Sequence, residues 1–385
     1  MHQPLFRWGI LGTAQIAKKN WQAIRLTGNG IVAAVAGRNL ARSKKFIAEC
    51  QAEVPFEKAA RAIGSYAELI EARDIDGLYI PLPTGLRKQW VLRAAAAGKH
   101  VVCEKPCAVT VADLAEMLAA CRRNRVQFMD GVMFRHSARL AHVRQALDDG
   151  RTVGAVRRID SVFSFKAPEE FFASNIRARS ELEPHGCLGD LGWYCIQITL
   201  WTMGWKLPRR VSGRVLSERG HPRSRAPVPA EFSGELFFDN GATGSFYCSF
   251  LTELQQYAHI SGERGSLHIA DFVLPFFGSE VAFETRNPVF AVRGCDFDME
   301  PRTRRWTVLE YSNSHPSAQE TNMFRNFSWQ AQSGRLNREW PEESFKTQRV
   351  LEGCLVSARN EGRPVECGEA TGRSSDPGRF GLKNV

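Results

Sequence analysis

No stretch of this 385-residue sequence approaches the roughly 20 consecutive apolar residues that a membrane-spanning helix needs. The N-terminus, with Trp8-Gly-Ile-Leu close behind it, carries no secretory hydrophobic region, so a cytoplasmic protein without membrane contact is expected. No Cys-x-x-Cys spacing suggests zinc and no metal is expected; the ten cysteines are scattered, several inside apolar patterns, as suits reduced core thiols rather than a disulfide framework. Nor do basic and aromatic residues interleave. The net charge of +10 is spread along the chain, which argues against a nucleic-acid partner and suits a basic cleft for a small anionic ligand. No internal repeats or long linkers occur. One further absence is local: between Gly28 and Ala48 there is no Asp or Glu.

What is present reads as two domains, because this length exceeds one ordinary core. Arg7 to Leu11 is an apolar run that leads into Gly12-Thr-Ala-Gln-Ile-Ala17, followed by Trp21 and Ile24 at helical spacing up to Gly28. Strand, glycine turn and helix start form the setting of a dinucleotide fingerprint, in which helix N–H groups face the pyrophosphate. Gly12, Thr13, Ala14 and Ile16 are its candidate contacts, although Ala14 and Ala17 replace the second and third glycines and an ordinary strand-to-helix turn is the alternative. Ile31 to Ala36 is the next strand. Where an acid for a ribose 2′-hydroxyl is usual, this chain offers Gly37, Arg38, Arg42, Lys44 and Lys45, which suit a 2′-phosphate with Arg38 the best placed, a solvated helix face being the alternative.

Further units alternate: helix Tyr66–Arg73, strand Gly77–Pro83, helix Arg87–Ala97, strand Val101–Cys103, a helix from Thr110 and a last strand Val126–Phe134. Such alternation implies right-handed crossovers and a parallel Rossmann sheet over residues 1–135. Strand ends gather ligands in such sheets, which puts Pro83, Thr84, Glu104 and Lys105 near the cofactor; for Glu104 and Lys105 a surface ion pair is the local alternative. Pro106 restricts Lys105 to extended backbone. From about Gly154 the pattern becomes one of alternating strands and hairpins, one turning at Asp239-Asn-Gly, another at Gly262-Glu-Arg-Gly. Residues 136–368 are therefore expected to form an α+β domain with a large, open, mainly antiparallel sheet, and 369–385 a flexible tail. Within it, Gly186–Met203 reads as one helix placing Asp190 and Tyr194 on a shared face, where they meet a substrate or, as the alternative, serve as a capping Asp and a core Tyr of a structural helix.

Four segments together resemble the glucose-fructose oxidoreductase, inositol dehydrogenase and rhizopine catabolism (Gfo/Idh/MocA) family: residues 8–17, 97–106 with Glu104-Lys-Pro, Met133-Phe-Arg135, and Gly186 to Tyr194. The resemblance covers residues 5 to 365 and implies an oxidoreductase acting on CH–OH groups. It makes Lys105 a contact of both nicotinamide ribose and substrate, Asp190 a substrate-polarising group, and Tyr194 the acid/base. A tyrosine there is similar to the subgroup with glucose-fructose oxidoreductase and dimeric dihydrodiol dehydrogenase, which implies NADP, with NAD as second candidate. Arg135, His185, Asp190 and Trp193 are then the expected substrate contacts. A nearby ammonium should favour the Tyr194 phenolate. The chain departs from the family pattern at Arg87, where histidine is frequent, and at His136-Ser-Ala138, where proline is common. The resemblance also implies a homo-oligomer, dimer or tetramer, paired through the outer face of the second sheet. A small-molecule sugar, cyclic polyol or diol is the expected substrate. The competing readings are an NAD-dependent glycosidase of the same family and a non-catalytic NADP-binding sensor.

Overall fold

The structure is a computed structural model that describes residues 4–367, so the tail expected at 369–385 lies outside the described residues. The first sheet is built from β1 (Phe6–Leu11), β2 (Gly30–Ala36), β3 (Arg61–Ile63), β4 (Gly77–Ile80), β5 (His100–Cys103) and β6 (Phe128–Asp130). The connecting helices are α1 (Gln15–Leu26), α2 (Leu40–Glu53), α3 (Tyr66–Glu71), α4 (Thr84–Ala96) and α5 (Val111–Arg123). All neighbours are parallel and the order is β3-β2-β1-β4-β5-β6, the doubly wound arrangement that places a crevice at the strands' carboxyl ends.

After α6 (Arg139–Asp148) come β7 (Val156–Ser164), α7 (Glu169–Ser174), α8 (Trp193–Thr202), β8 (Arg210–Arg219), β9 (Val228–Phe237), β10 (Thr243–Ser249), β11 (Ala258–Gly262) and β12 (Ser266–Ile269). The chain closes with β13 (Glu280–Arg286), β14 (Val289–Arg293), β15 (Asp296–Glu300), β16 (Thr303–Leu309), α9 (Gln319–Gln332), α10 (Glu339–Arg359) and β17 (Val365–Glu366). Nine of these strands make one sheet in the order β16-β13-β12-β11-β7-β10-β9-β8-β17, antiparallel except for β7 beside β10. Both expected hairpins are present, as β9–β10 and β11–β12. Every residue of α8 is buried, because the helix lies between the sheet and α10; its threonines return their hydroxyls to the carbonyls one turn back.

Two strand ends and one helical turn differ most from the sequence reading. The strand expected to run to Pro83 stops at Ile80, since Pro81 and Pro83 have no N–H to continue the ladder. The strand expected over Val126–Phe134 shrinks to three residues: its partner β5 ends at Cys103, opposite Asp130, and the chain turns into a 3₁₀ turn at Met133–His136. The helix expected over Gly186–Met203 is helical from 186 to 202, but it widens into a π turn over Leu188–Gly192 ahead of α8. Close packing explains it. A Cβ on Gly189 would lie 2.8 Å from His185 Cβ, and one on Gly192 would lie 2.9 Å from Leu188 Cδ1.

The chain also returns to its first core. α9 lays Phe324 and Phe327 against Trp8, with ring centroids 5.1 and 5.3 Å apart, and Phe324 against Tyr79 at 5.5 Å. One face of the first sheet is thus completed by residues some 300 positions downstream of β1.

Candidate active site

β5 delivers Glu104 and Lys105 to the crevice at the end of the sheet. Lys105 Nζ donates to Asp190 twice, to Oδ1 at 2.7 Å and to the backbone carbonyl at 2.6 Å. The other carboxylate oxygen of Asp190 takes the Nε–H of Arg177 at 2.7 Å. Held between two cations, Asp190 stays ionised well below the usual carboxylate range, although burial works against it. Lys105 Nζ also sits over the ring of Tyr194, 4.7 Å from its centroid, and Phe134 and Phe163 pack round that ring at 6.2 and 5.6 Å. Ammonium, carboxylate and phenol converge, from two halves of the chain.

The ammonium addresses the ring face and its charge is matched by Asp190. Burial, with Glu104 and Asp190 nearby, therefore raises the Tyr194 phenol well above its ordinary value. The expected phenolate is corrected: in the free protein Tyr194 keeps its proton.

Glu104 is buried. Its Oε1 accepts from Tyr79 Oη at 2.6 Å, that hydroxyl in turn accepts from Asn20 Nδ2 at 2.6 Å, and Oε2 lies 3.3 Å from the Lys105 amide. Thr84 gives both its amide and its hydroxyl to Glu183, at 3.0 and 2.5 Å. Arg87 is buried and clasps two loops, donating to the carbonyls of Leu82 and Pro106. This explains an arginine there by structure.

The side chains of the remaining expected substrate contacts make no hydrogen bond or ion pair to Lys105, Asp190 or Tyr194 in this conformation. Trp193 is fully buried with its Nε1–H on Asp130 at 3.2 Å, so it has no surface for a ligand in this conformation. Arg135 pairs with Glu343 at 2.7 Å and lies over Trp205, 5.0 Å from the ring centroid. His185 is buried behind Gly189, its imidazole pushed down to about 4 by desolvation.

The dinucleotide residues fit the group they were assigned to. Gly12 has φ +119°, and a Cβ there would sit 3.1 Å from Leu82 Cδ2, so a bare backbone lines the turn. Ala14 precedes α1 in extended geometry with no side-chain cap, and the first turn carries no acid, which leaves the helix N-terminus open to an anion. Thr13 and Ile16 are half-buried beside it. Arg38 is exposed just past β2. It and Arg42 act on the Tyr66 phenol, and neither has an acidic partner among the described residues.

Sequence reasoning missed Arg177, Tyr79 and Glu183. Arg177 sits in a single 3₁₀ turn, Ile176–Ala178, too short for any periodicity to mark it. Tyr79 did carry a signal: a lone phenol inside a buried apolar strand needs a partner for its hydroxyl.

The family model described as "Oxidoreductase family, NAD-binding Rossmann fold" matches residues 6–132, and that of the "GFO/IDH/MocA C-terminal domain" matches residues 140–268. The chain is 31% identical to the D-xylose 1-dehydrogenase (NADP(+)) 2 of Haloferax volcanii, over 93% of this chain and 99% of that protein. It is 30% identical to the trans-1,2-dihydrobenzene-1,2-diol dehydrogenase of Sus scrofa, over 69% of this chain and 74% of that protein. The crystal structure of an aldose-aldose oxidoreductase from Caulobacter crescentus, complexed with glycerol, shares the fold with a TM-score of 0.76 at 24% identity, covering 94% of this chain and 99% of that one.

Proposed function

The chain belongs to the Gfo/Idh/MocA oxidoreductase family, and from that premise we propose that it is an NADP-dependent oxidoreductase of sugars, cyclic polyols or diols, with Lys105, Asp190 and Tyr194 as its catalytic residues. The observation that carries this reading is the meeting of Lys105 and Tyr194 over Asp190. When bound, the nicotinamide supplies or receives the hydride. The chain's residues handle the oxygen. An ammonium has three N–H groups, and Asp190 occupies two of them, which leaves one for a substrate hydroxyl or carbonyl oxygen. Tyr194 Oη gives its proton to that oxygen in carbonyl reduction and takes it back in alcohol oxidation. Asp190 fixes the direction of the ammonium, and Arg177 fixes Asp190.

Gly12, Thr13, Ala14 and Ile16 would hold the pyrophosphate and Arg38 the 2′-phosphate, with Pro83, Thr84 and Glu104 framing the nicotinamide end. The relatives named above are oxidoreductases of sugar or diol hydroxyls, which favours this reading over the glycosidase and sensor alternatives. The test is a panel of aldoses, cyclic polyols and diols incubated with NADP⁺, following nicotinamide absorbance. Turnover with at least one of them is expected. NADPH binding without turnover on any would return the chain to the sensor class.

The homo-oligomer through the outer face of the nine-stranded sheet and the cytoplasmic location belong to the same proposal. Sedimentation and cell fractionation test them.

A further inference from the structure

A second cavity, of about 420 Å³, opens beyond the edge strand β6, between α9, α10 and the 3₁₀ turn, and no residue of the Lys105 cluster lines it. Its volume is in the range of small-molecule sites. Arg135, which the sequence singles out and the active site does not absorb, faces it. Two aromatic walls bound it: Trp340, whose ring meets His136 at 5.9 Å, and Trp329, which is 52% exposed at the rim.

The polar groups are of both kinds. Arg135 gives one N–H to Glu343 Oε1 at 2.7 Å, while its Nε is buried with no acceptor among the described residues. The second carboxylate oxygen of Glu343 is not used by that pair, and Asn326 presents an amide held by His136 at 3.2 Å. Asp130 and Glu343 offset the charge of Arg135 and leave the lining without an excess of positive charge, which opposes a phosphate or carboxylate ligand. The guanidinium charge of Arg135 in the lining opposes an ammonium. A neutral molecule that carries hydroxyl donors and acceptors round an apolar ring face meets both conditions.

We propose that this cavity is a second binding site, separate from the active site, for a neutral polyhydroxylated molecule of the sugar or cyclic-polyol class, stacked on Trp329 and Trp340 and hydrogen-bonded by Arg135 and Glu343. Desolvation raises the Glu343 carboxyl to about 7, so near neutrality it can accept or donate a hydrogen bond, while Asp130, raised to about 6, remains mainly an acceptor. The cavity is also tied to the helix that carries Tyr194, through the bonds of Asp130 to Trp193 and Gln197 at 3.2 and 2.6 Å.

The test is isothermal titration of the full chain, loaded with NADP, with D-xylose, D-glucose and myo-inositol, and with spermidine as the cationic control. At least one sugar or polyol is expected to show a binding event that Trp329→Ala and Glu343→Gln each weaken about tenfold or more and that Asp190→Asn leaves in place. Trp329→Ala removes an exposed ring and decides the matter should Glu343→Gln fail to fold. Absence of any such event, binding lost only in Asp190→Asn, or cavity-dependent binding of spermidine in place of the sugars would overturn the assignment.

Discussion

Lys105 and Asp190 stand 85 residues apart in sequence and 2.7 Å apart in space, one at the end of a parallel strand, the other in a π turn of the second domain. The pair joins the end of β5 to the second domain, at the substrate site proposed above. It also fixes what can be expected of each partner.

Lys105→Met removes the one ammonium N–H left for substrate. Turnover should fall at least ~10²-fold, the usual loss for one transition-state donor. Arg177 still neutralises Asp190, so circular dichroism and the urea midpoint should stay close to the parent's. Retained turnover would remove Lys105 from the mechanism.

Tyr194 holds its proton because burial and two carboxylates raise its phenol above its ordinary value. Carbonyl reduction, which uses the phenol, should therefore be flat between about pH 6 and 9. Alcohol oxidation needs the deprotonated oxygen, whose fraction grows tenfold per pH unit below the phenol's pKa, so its rate should climb across the same window. Tyr194→Phe should lower both by ~10²–10⁴-fold and abolish the climb. Paired pH–rate profiles in the two directions check this; a bell centred near neutrality would contradict it.

Arg177→Leu leaves Asp190 with a single cationic partner. The carboxylate then loses one of its two constraints and Lys105 its fixed aim. A fall of ~10-fold or more in kcat/KM is expected, the scale of one charge-assisted hydrogen bond. Arg177→Lys should restore only part of it, because a lysine lacks the planar fork. Full activity in Arg177→Leu would show that Asp190 needs Lys105 alone.

Arg38→Ala should weaken NADPH by ~1.5–3 kcal/mol, the range of a hydrogen bond to a charged group, and leave NADH unchanged. Fluorescence titration of both cofactors measures the difference. Equal losses for the two would refute the 2′-phosphate contact.

Tyr79→Phe strips the buried Glu104 of its hydroxyl donor and leaves Asn20 without its acceptor. Leaving buried polar groups unmatched costs ~1–3 kcal/mol, which a shift in the urea midpoint at unchanged slope would report.

The sequence was most legible where the signal is local. Alternating apolar runs and glycine stops gave the parallel sheet and its helices, and two glycine-bearing turns gave the hairpins of the second sheet. It was least legible where a long-range neighbour decides. The π turn depends on the packing of Gly189 and Gly192, and the short β6 on where its partner ends. Trp193 lies in the same motif as Asp190 and Tyr194, and Arg135 belongs to another of the four family segments. Yet their side chains are claimed by Glu343 and Asp130, which lie far off or behind in the chain.

By itself, then, the order of residues determined the two-sheet architecture, the open turn after β1 and the acid-free stretch after β2, because strand period, helix period and turn chemistry act over a few residues. Only the tertiary structure decided the protonation of Tyr194, the clamp of Asp190 between Lys105 and Arg177, and the return of α9 to the first core. Those depend on burial and on charges brought within a few ångströms by a folded chain, and neither quantity is written in local sequence.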